Sequence, residues 1–206
     1  PYTTLFRSSN FAMGHRVVGY GSYRKEYLKH TATTFTLFYT GQSGELFSFG
    51  YADGWTDPVT KKTYFLGEDN QSLELMYVPK DKNDINLVAV GSYTADQQWK
   101  DLNAFIEADE YLSSRRGQYA ERNSSRTPFT SIFDLRIAQD VYVNVGGKRN
   151  TLQFALDIFN IGNLINKRWG RIYYASGAYY SNYPLLQFQG FTKDESDKYT
   201  NTPQFS

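Results

Sequence analysis

A set of polar side chains shares one region of this sequence, and carboxylates beside an arginine and an amide are residue types of acid–base chemistry. The set comprises Asp134, Arg136, Asp140, Gln153 and Asp157. Acid–base catalysis also needs a nucleophile or a convergent pocket, and the sequence indicates neither. The absence of cysteine excludes thiol nucleophiles and thiolate metal sites. We therefore predict no catalytic residue and no enzymatic activity.

Metal and cofactor binding have little support. His15 and His30 stand at opposite ends of a predicted strand, so about 15 extended residues, or ~50 Å, separate them and exclude a shared metal within that strand. The segment DKNDIN, residues 81–86, has closely spaced carboxylates but lacks the glycine and the terminal glutamate of a calcium loop. We predict a polar turn there, no metal site and no cofactor.

Aromatic side chains are the candidates for ligand contact, because such rings stack on sugars and peptides. The candidates are a cluster after a predicted strand and two rings of a predicted helix: Tyr173, Tyr174, Tyr179, Tyr180, Tyr183, Trp99 and Phe105. Alternatives remain open for both groups. The tyrosines also suit an aromatic girdle at a lipid boundary, and the helix rings also suit packing of a loop onto its neighbours.

Composition narrows the class of protein. Aromatic residues make up 17% of the chain while mean hydropathy is −0.57, which favours many surfaces with one apolar and one wet side. The net charge of +1 gives no reason to expect a nucleic-acid partner. No apolar run approaches the ~20 residues of a membrane-spanning helix, whereas the strands of membrane barrels alternate and lack such runs.

Alternation predicts the secondary structure. Residues 130–145 and 151–159 place apolar side chains on one parity and polar ones on the other, which predicts two long strands joined by a tight turn at Gly146 and Gly147. Three further strands are predicted at 16–27, 30–40 and 44–54, with a turn between the last two marked by Gly41, Ser43 and Gly44. Residues 94–112 predict a helix that begins with a capping box at Thr94.

Length and connections favour a membrane barrel over a soluble sandwich. Residues 130–145 exceed the average strand of about 5 to 6 residues and suit barrel strands of about 9 to 11 residues in lipid. A short turn at 146–150 next to a long connection at about 54–128 matches short periplasmic turns and long external loops. We expect Leu135, Ile137, Val143, Leu152, Phe154 and Leu156 to face outer-membrane lipid. The polar set named above is then expected to face the lumen.

The segment DIFNIGNLINKRWGR, residues 157–171, resembles a late barrel segment of TonB-dependent outer-membrane receptors. LMYVPKDKNDI, WKDLNAFIEADEYL, RRGQYAERNSSRTPF and VNVGGKRNTLQ resemble the Oar-like branch, whose members carry a carboxypeptidase-regulatory-like domain. This resemblance covers most of residues 13–175. It implies an all-β fold, about five strands of a transmembrane antiparallel barrel of roughly 22, with one helix in an external loop. It also implies import of an unidentified nutrient across the outer membrane of a Gram-negative bacterium, powered by the TonB complex through an N-terminal plug.

The first eight residues, PYTTLFRS, resemble a translated sequencing adapter. We therefore expect residues 9–206 to be a C-terminal part of the barrel domain, without plug, TonB box or final strand. Two other functions remain open. One is a secreted aromatic-rich β-sandwich that binds carbohydrate, and the other is an adhesion or anchoring barrel without a plug.

Overall fold

Strand predominates over helix in the computed structural model, at 50% against 15%, as expected of an all-β chain. The structure describes residues 12, 14–52, 54–66, 74–175, 182–196 and 198–206. Of these, residues 14–44 and 128–174 form one compact unit, the sheet unit, and the others form a second, the mixed unit. None of the described helices is long and apolar enough to cross a membrane.

The described strands are, in chain order, β1 (Arg16–Tyr27), β2 (Thr31–Gln42), β3 (Leu46–Ala52), β4 (Trp55–Thr56), β5 (Thr63–Tyr64), β6 (Tyr77–Val78), β7 (Gln118–Tyr119), β8 (Ser125–Arg126), β9 (Thr130–Val145), β10 (Lys148–Ile158), β11 (Asn182–Lys193) and β12 (Tyr199–Phe205). The helices are α1 (Ala95–Ala108), α2 (Glu110–Ser114) and α3 (Gly162–Ile165), with a 3₁₀ turn at Lys82–Asp84.

The sheet unit is a four-stranded antiparallel sheet in the order β1-β2-β9-β10. The strand predicted at Thr130–Val145 is confirmed over its whole length of 16 residues. The turn that follows is also confirmed: Gly146 and Gly147 have φ angles of 59° and 76°, a region that glycine enters without steric cost. The hairpin was predictable because alternation and turn are both local signals.

The turn predicted at Gly41, Ser43 and Gly44 is wrong. β2 continues through Gly41 to Gln42 and pairs with β1 on one side and β9 on the other. β3 lies in the mixed unit, where it pairs with β11 and β8. Long-range pairing therefore overrides the local turn signal. β9 pairs with β2 and β10, and the segment at 44–54 does not pair with β9.

The mixed unit has an apolar core of its own. Its main sheet has the order β12-β11-β3-β8, in which β11 and β3 run parallel and the other neighbours run antiparallel. Phe49 of β3, Phe188 of β11 and Ile106 of α1 are fully or nearly fully buried in that core. The segment expected to be a long external loop at 54–128 is thus part of a packed body that begins at Glu45 and includes β3, β11 and β12.

The predicted helix at 94–112 is confirmed with one interruption. Thr94 is the N-cap of α1, and its hydroxyl accepts a hydrogen bond from the Gln97 N–H. Asp109 ends α1, and its carboxylate accepts from the Leu112 N–H to begin α2. The break arises because Asp109 adopts an extended backbone that caps the second helix.

Candidate functional site

The four strands of the sheet unit are in a register that divides their side chains between two faces, since paired residues project from the same side of an antiparallel sheet. One row across the sheet reads Tyr23, Phe35, Ile137 and Leu156. The adjacent row, on the opposite face, reads Ser22, Thr36, Arg136 and Asp157. The first face is called the apolar face, although Lys25, Thr33 and Gln139 also lie on it. The second is called the polar face, although Val18, Tyr20 and Phe38 also lie on it.

The apolar face stays exposed. All six residues predicted to share a face do share this one: Leu135, Ile137, Val143, Leu152, Phe154 and Leu156. On β10, Leu152, Phe154 and Leu156 are 61%, 61% and 58% exposed. Fully burying one such side chain is favourable by roughly 1.5–3 kcal/mol, so a face of this kind in water is costly.

The polar face is held together by side-chain bonds between strands. Arg24 Nη1 lies 2.5 Å from Asp140 Oδ2, and Gln153 Nε2 donates to Asp140 Oδ1 at 2.7 Å. Further along the face, Arg136 Nη1 lies 3.6 Å from Asp157 Oδ2. Polar groups of three strands, β1, β9 and β10, thus bond to one another.

The remaining predicted residue of the polar set, Asp134, also lies on this face, opposite Phe38 of β2. Its Oδ1 accepts a hydrogen bond of 2.7 Å from the Asn160 N–H, which ties the start of β9 to the turn after β10. The predicted set therefore shares one face, as the alternation requires. Within the set, Gln153 bonds to Asp140 and Arg136 pairs with Asp157, while Asp134 bonds to the backbone of Asn160.

Burial in the sheet unit is the reverse of that in a water-soluble sheet. Apart from Gly41 and Gly162, the buried residues described in this unit are all on the polar face: Ala32, Thr130, Ala138, Asp140 and Tyr142. A water-soluble sheet buries its apolar face against a second layer and wets the other. The apolar core cluster of the structure is built from the mixed unit instead.

The described aromatic candidates are divided between the two units. Tyr173 and Tyr174 belong to the sheet unit and are 46% and 69% exposed. Tyr183 belongs to the mixed unit, where its ring lies 5.9 Å from that of Phe47 and 6.1 Å from that of Phe49. Tyr179 and Tyr180 lie outside the described residues.

The two helix rings have a packing role. Trp99 is partly buried against the core of the mixed unit. Phe105 is 40% exposed, and its ring meets the ring of Phe49 in a T-shaped arrangement at 6.3 Å. The amphipathic pattern of the helix therefore reflects its attachment to β3.

The histidines and the acidic turn are placed as predicted. His15 precedes β1, and His30 lies in the turn between β1 and β2, beside the ring of Tyr142 at 6.2 Å. In the 3₁₀ turn, Asp81 accepts from the Asn83 N–H and Asp84 accepts from the Lys80 N–H. Across the described ranges, no group of three or more His, Asp or Glu side chains is placed to hold a metal ion.

A cleft of about 710 Å³ in the mixed unit was missed by the sequence reasoning. Tyr51, Tyr77 and Tyr119 line it together with Glu74 and Asp84. These residues come from separated parts of the chain and share no motif. The short strand pair β6 and β7, which brings Tyr77 opposite Tyr119, has no periodicity that a sequence pattern would reveal.

Comparison with known proteins adds no family. No protein-family profile matches the chain. No curated protein matches it, and no solved structure matches it.

Proposed function

We propose that the sheet unit is a section of the wall of a transmembrane β-barrel, and that the protein is a TonB-dependent receptor that imports a nutrient across the outer membrane of a Gram-negative bacterium. The observation that carries the proposal is the polarity of the sheet. On β9 and β10, the exposed apolar side chains all lie on one face, and the other face carries polar side chains that are bonded across strands.

Lipid is the environment that suits the apolar face. Barrel strands alternate between side chains that face lipid and side chains that face a polar interior. The 16 residues of β9 and the 11 residues of β10 are long enough for the lipid zone, which needs about 9 to 11 tilted residues. A soluble protein would instead need a second layer over Leu152, Phe154 and Leu156.

A wet lumen suits the polar face. The pair of Arg136 and Asp157 remains nearly half exposed, with side chains 46% and 43% accessible. Such a pair contributes little stability in water, but it neutralises charge along a barrel interior. Arg24, Gln153 and Asp140 form a second, less accessible group on the same wall.

The two edge strands of the sheet need further strands to pair with. β1 and β10 are its outermost strands, and an open edge carries unpaired N–H and C=O groups that hydrocarbon cannot satisfy. In a closed barrel, each edge pairs with a further strand. We propose that such strands, from a longer protein, complete the wall.

The receptor assignment within barrels is supported by the resemblance of residues 157–171. This segment ends β10 with a turn in which Asn160 has a φ of 52° and its Nδ2 donates to the Gly170 carbonyl at 3.2 Å. In such receptors the plug contacts the TonB complex, so we assign no residue of this wall to that contact. The nutrient ligand is expected to approach from outside the barrel.

The proposal is tested by measuring whether the 206-residue chain needs detergent or lipid to stay in solution. We expect the purified chain to aggregate in plain buffer and to remain dispersed in dodecyl maltoside micelles or lipid vesicles, measured by size-exclusion chromatography with light scattering and by vesicle flotation. A monomer in plain buffer with a cooperative unfolding transition would overturn the membrane assignment. That result would favour the secreted carbohydrate-binding β-sandwich.

A further inference from the structure

The cleft of the mixed unit has walls of tyrosine. Tyr77 of β6 and Tyr119 of β7 are directly paired, and their rings meet in a T-shaped arrangement with centroids 5.3 Å apart. Tyr119 is 64% exposed, so a large part of its surface is open to a ligand. Aromatic surfaces in a cleft of about 710 Å³ fit the size range of small-molecule sites.

The innermost tyrosine is fixed by the backbone. Tyr51 is 4% exposed, and its hydroxyl oxygen accepts a hydrogen bond of 3.0 Å from the Tyr77 N–H. Burial raises the pKa of Tyr51 to about 12, so the phenol is neutral at physiological pH. The floor of the cleft is therefore a rigid, uncharged ring.

The polar lining is rich in acceptors. Asp84 Oδ2 accepts from the Lys80 N–H at 3.0 Å and from the Tyr77 hydroxyl at 2.8 Å. The Lys80 N–H and the Tyr77 hydroxyl lower the pKa of Asp84, so this carboxylate is ionised and cannot donate. Glu74 also lines the cleft, and Asn83 and Asn86 add side-chain amides.

None of the described residues that line the cleft is a lysine or an arginine. An anionic ligand would therefore meet two carboxylates of the lining, Glu74 and Asp84, and like charges placed together are costly. The Lys80 ammonium also lowers the pKa of Asp84, but Lys80 is not among the described lining residues. A ligand that suits these walls donates hydrogen bonds, has no negative charge, and presents a flat C–H surface to the rings.

We propose that this cleft binds a neutral saccharide, with hydroxyl groups donating to the carboxylates and amides and a ring face lying against Tyr119. A neutral ligand fits better than a cation because Asp84 already accepts from the two donors named above. The proposal goes beyond the receptor function and stands without it, since the cleft lies wholly within the mixed unit.

The experiment is binding of the full chain, held in dodecyl maltoside, to an array of neutral linear glycans, followed by calorimetric titration with the trisaccharide that binds. Tyr119→Ala removes the exposed ring, and we expect it to weaken binding about tenfold, which is about 1.4 kcal/mol. Tyr119→Phe keeps the ring and should bind nearly as the native chain does. Tyr93→Ala, a tyrosine of the same unit outside the cleft lining, is the matched control and should leave affinity unchanged.

Salt and charged probes distinguish the alternatives. Affinity for a neutral saccharide should not change between about 0.05 and 0.5 M NaCl, whereas an ionic ligand would weaken as charges are screened. Trilysine and trigalacturonate serve as the cationic and anionic probes. Binding of trilysine without any glycan, no glycan binding at all, or equal losses in Tyr119→Ala and Tyr93→Ala would each overturn the proposal.

The membrane assignment can fail separately. If the chain proves monomeric in plain buffer, the same titrations are run in buffer, and the response to Tyr119→Ala still decides the saccharide proposal. If the chain needs detergent and no glycan binds, the receptor proposal survives and the cleft proposal does not.

Discussion

Arg24 and Asp140 stand on strands that are not neighbours, yet the guanidinium Nη1 lies 2.5 Å from the carboxylate Oδ2. Strand β2 runs between them, and its residue opposite Asp140 is Ala32. Ala32 is fully buried, and its methyl side chain leaves room for the guanidinium to cross β2. With Gln153 donating from β10, three strands are joined at one carboxylate that is 6% exposed.

Replacing Arg24 alone should therefore destabilise the sheet more than replacing Arg24 and Asp140 together. Arg24→Met leaves Asp140 shielded from water without its cation, which is more destabilising than replacing both partners. We expect the double variant Arg24→Met/Asp140→Leu to be more stable than the sum of the single changes predicts. Urea unfolding in micelles of the longer protein, in which further strands pair with both edges, measures this double-mutant cycle.

The exposed pair on the same face supplies the control. Arg136→Met should lower stability less than Arg24→Met, because Arg136 and Asp157 are both accessible to water and such pairs contribute little. Equal losses in the two arginine variants would show that the bridge across β2 has no special role. Additive effects in the cycle would lead to the same conclusion.

The hairpin of β9 and β10 shows what local pattern can predict. Alternation correctly assigned Leu135, Ile137, Leu152 and Leu156 to one face, and the two glycines correctly located the turn. Both predictions were possible because each signal lies within one short stretch of chain. The faces then follow from the strand period of two, whatever the distant partners are.

The rest depends on contacts that sequence spacing does not encode. β3 has strong alternation, but its partners β11 and β8 lie far along the chain, so the glycines at 41–44 were wrongly interpreted as a hairpin turn. The cleft was missed for the same reason, because Tyr51, Tyr77 and Tyr119 come together only through tertiary packing. The roles of Trp99 and Phe105 were ambiguous until their packing against the core of the mixed unit was visible.

Single cysteines should separate the two faces, and the chain has no native cysteine to interfere. Cysteine in place of Leu135, Ile137, Val143, Leu152, Phe154 or Leu156 should resist an aqueous maleimide in micelles, because detergent covers the apolar face. Cysteine in place of Asp134, Arg136, Gln153 or Asp157 should react. The neighbours Gln153 and Phe154 are the matched pair, and equal labelling of both would contradict the two-faced assignment.

A charge on the apolar face should be costly only in lipid. Leu156→Arg places a cation in the row of Tyr23, Phe35 and Ile137. In the longer protein whose further strands close the barrel, we expect it to lower the unfolding free energy in vesicles by about 2–4 kcal/mol, the range for arginine near the bilayer midplane. Ala155→Arg, one residue away on the polar face, should cost much less, and similar losses for the two variants would argue against a lipid-facing surface.

Acid should weaken the mixed unit through Asp57. The carboxylate accepts hydrogen bonds from the Tyr199 hydroxyl and from the N–H groups of Val59 and Thr60. The Tyr199 bond is the largest cause that holds the pKa of Asp57 below its ordinary value. A carboxylate with a depressed folded-state pKa contributes stability above its unfolded-state pKa, and that contribution is lost as pH falls through the folded-state value.

Tyr199→Phe removes the donor, so the pKa of Asp57 should rise toward its ordinary value. The variant should be less stable than the native chain at pH about 6. The difference should shrink as pH falls below about 4, because Asp57 of the folded variant takes up a proton at a higher pH than Asp57 of the folded native chain. Trp55, whose ring lies 6.1 Å from that of Tyr199, reports unfolding by fluorescence. Tyr64→Phe, which alters the ring 5.6 Å from Tyr199 but leaves the Asp57 bond, is the control, and a stability difference that stays constant with pH would rule out the linkage to Asp57.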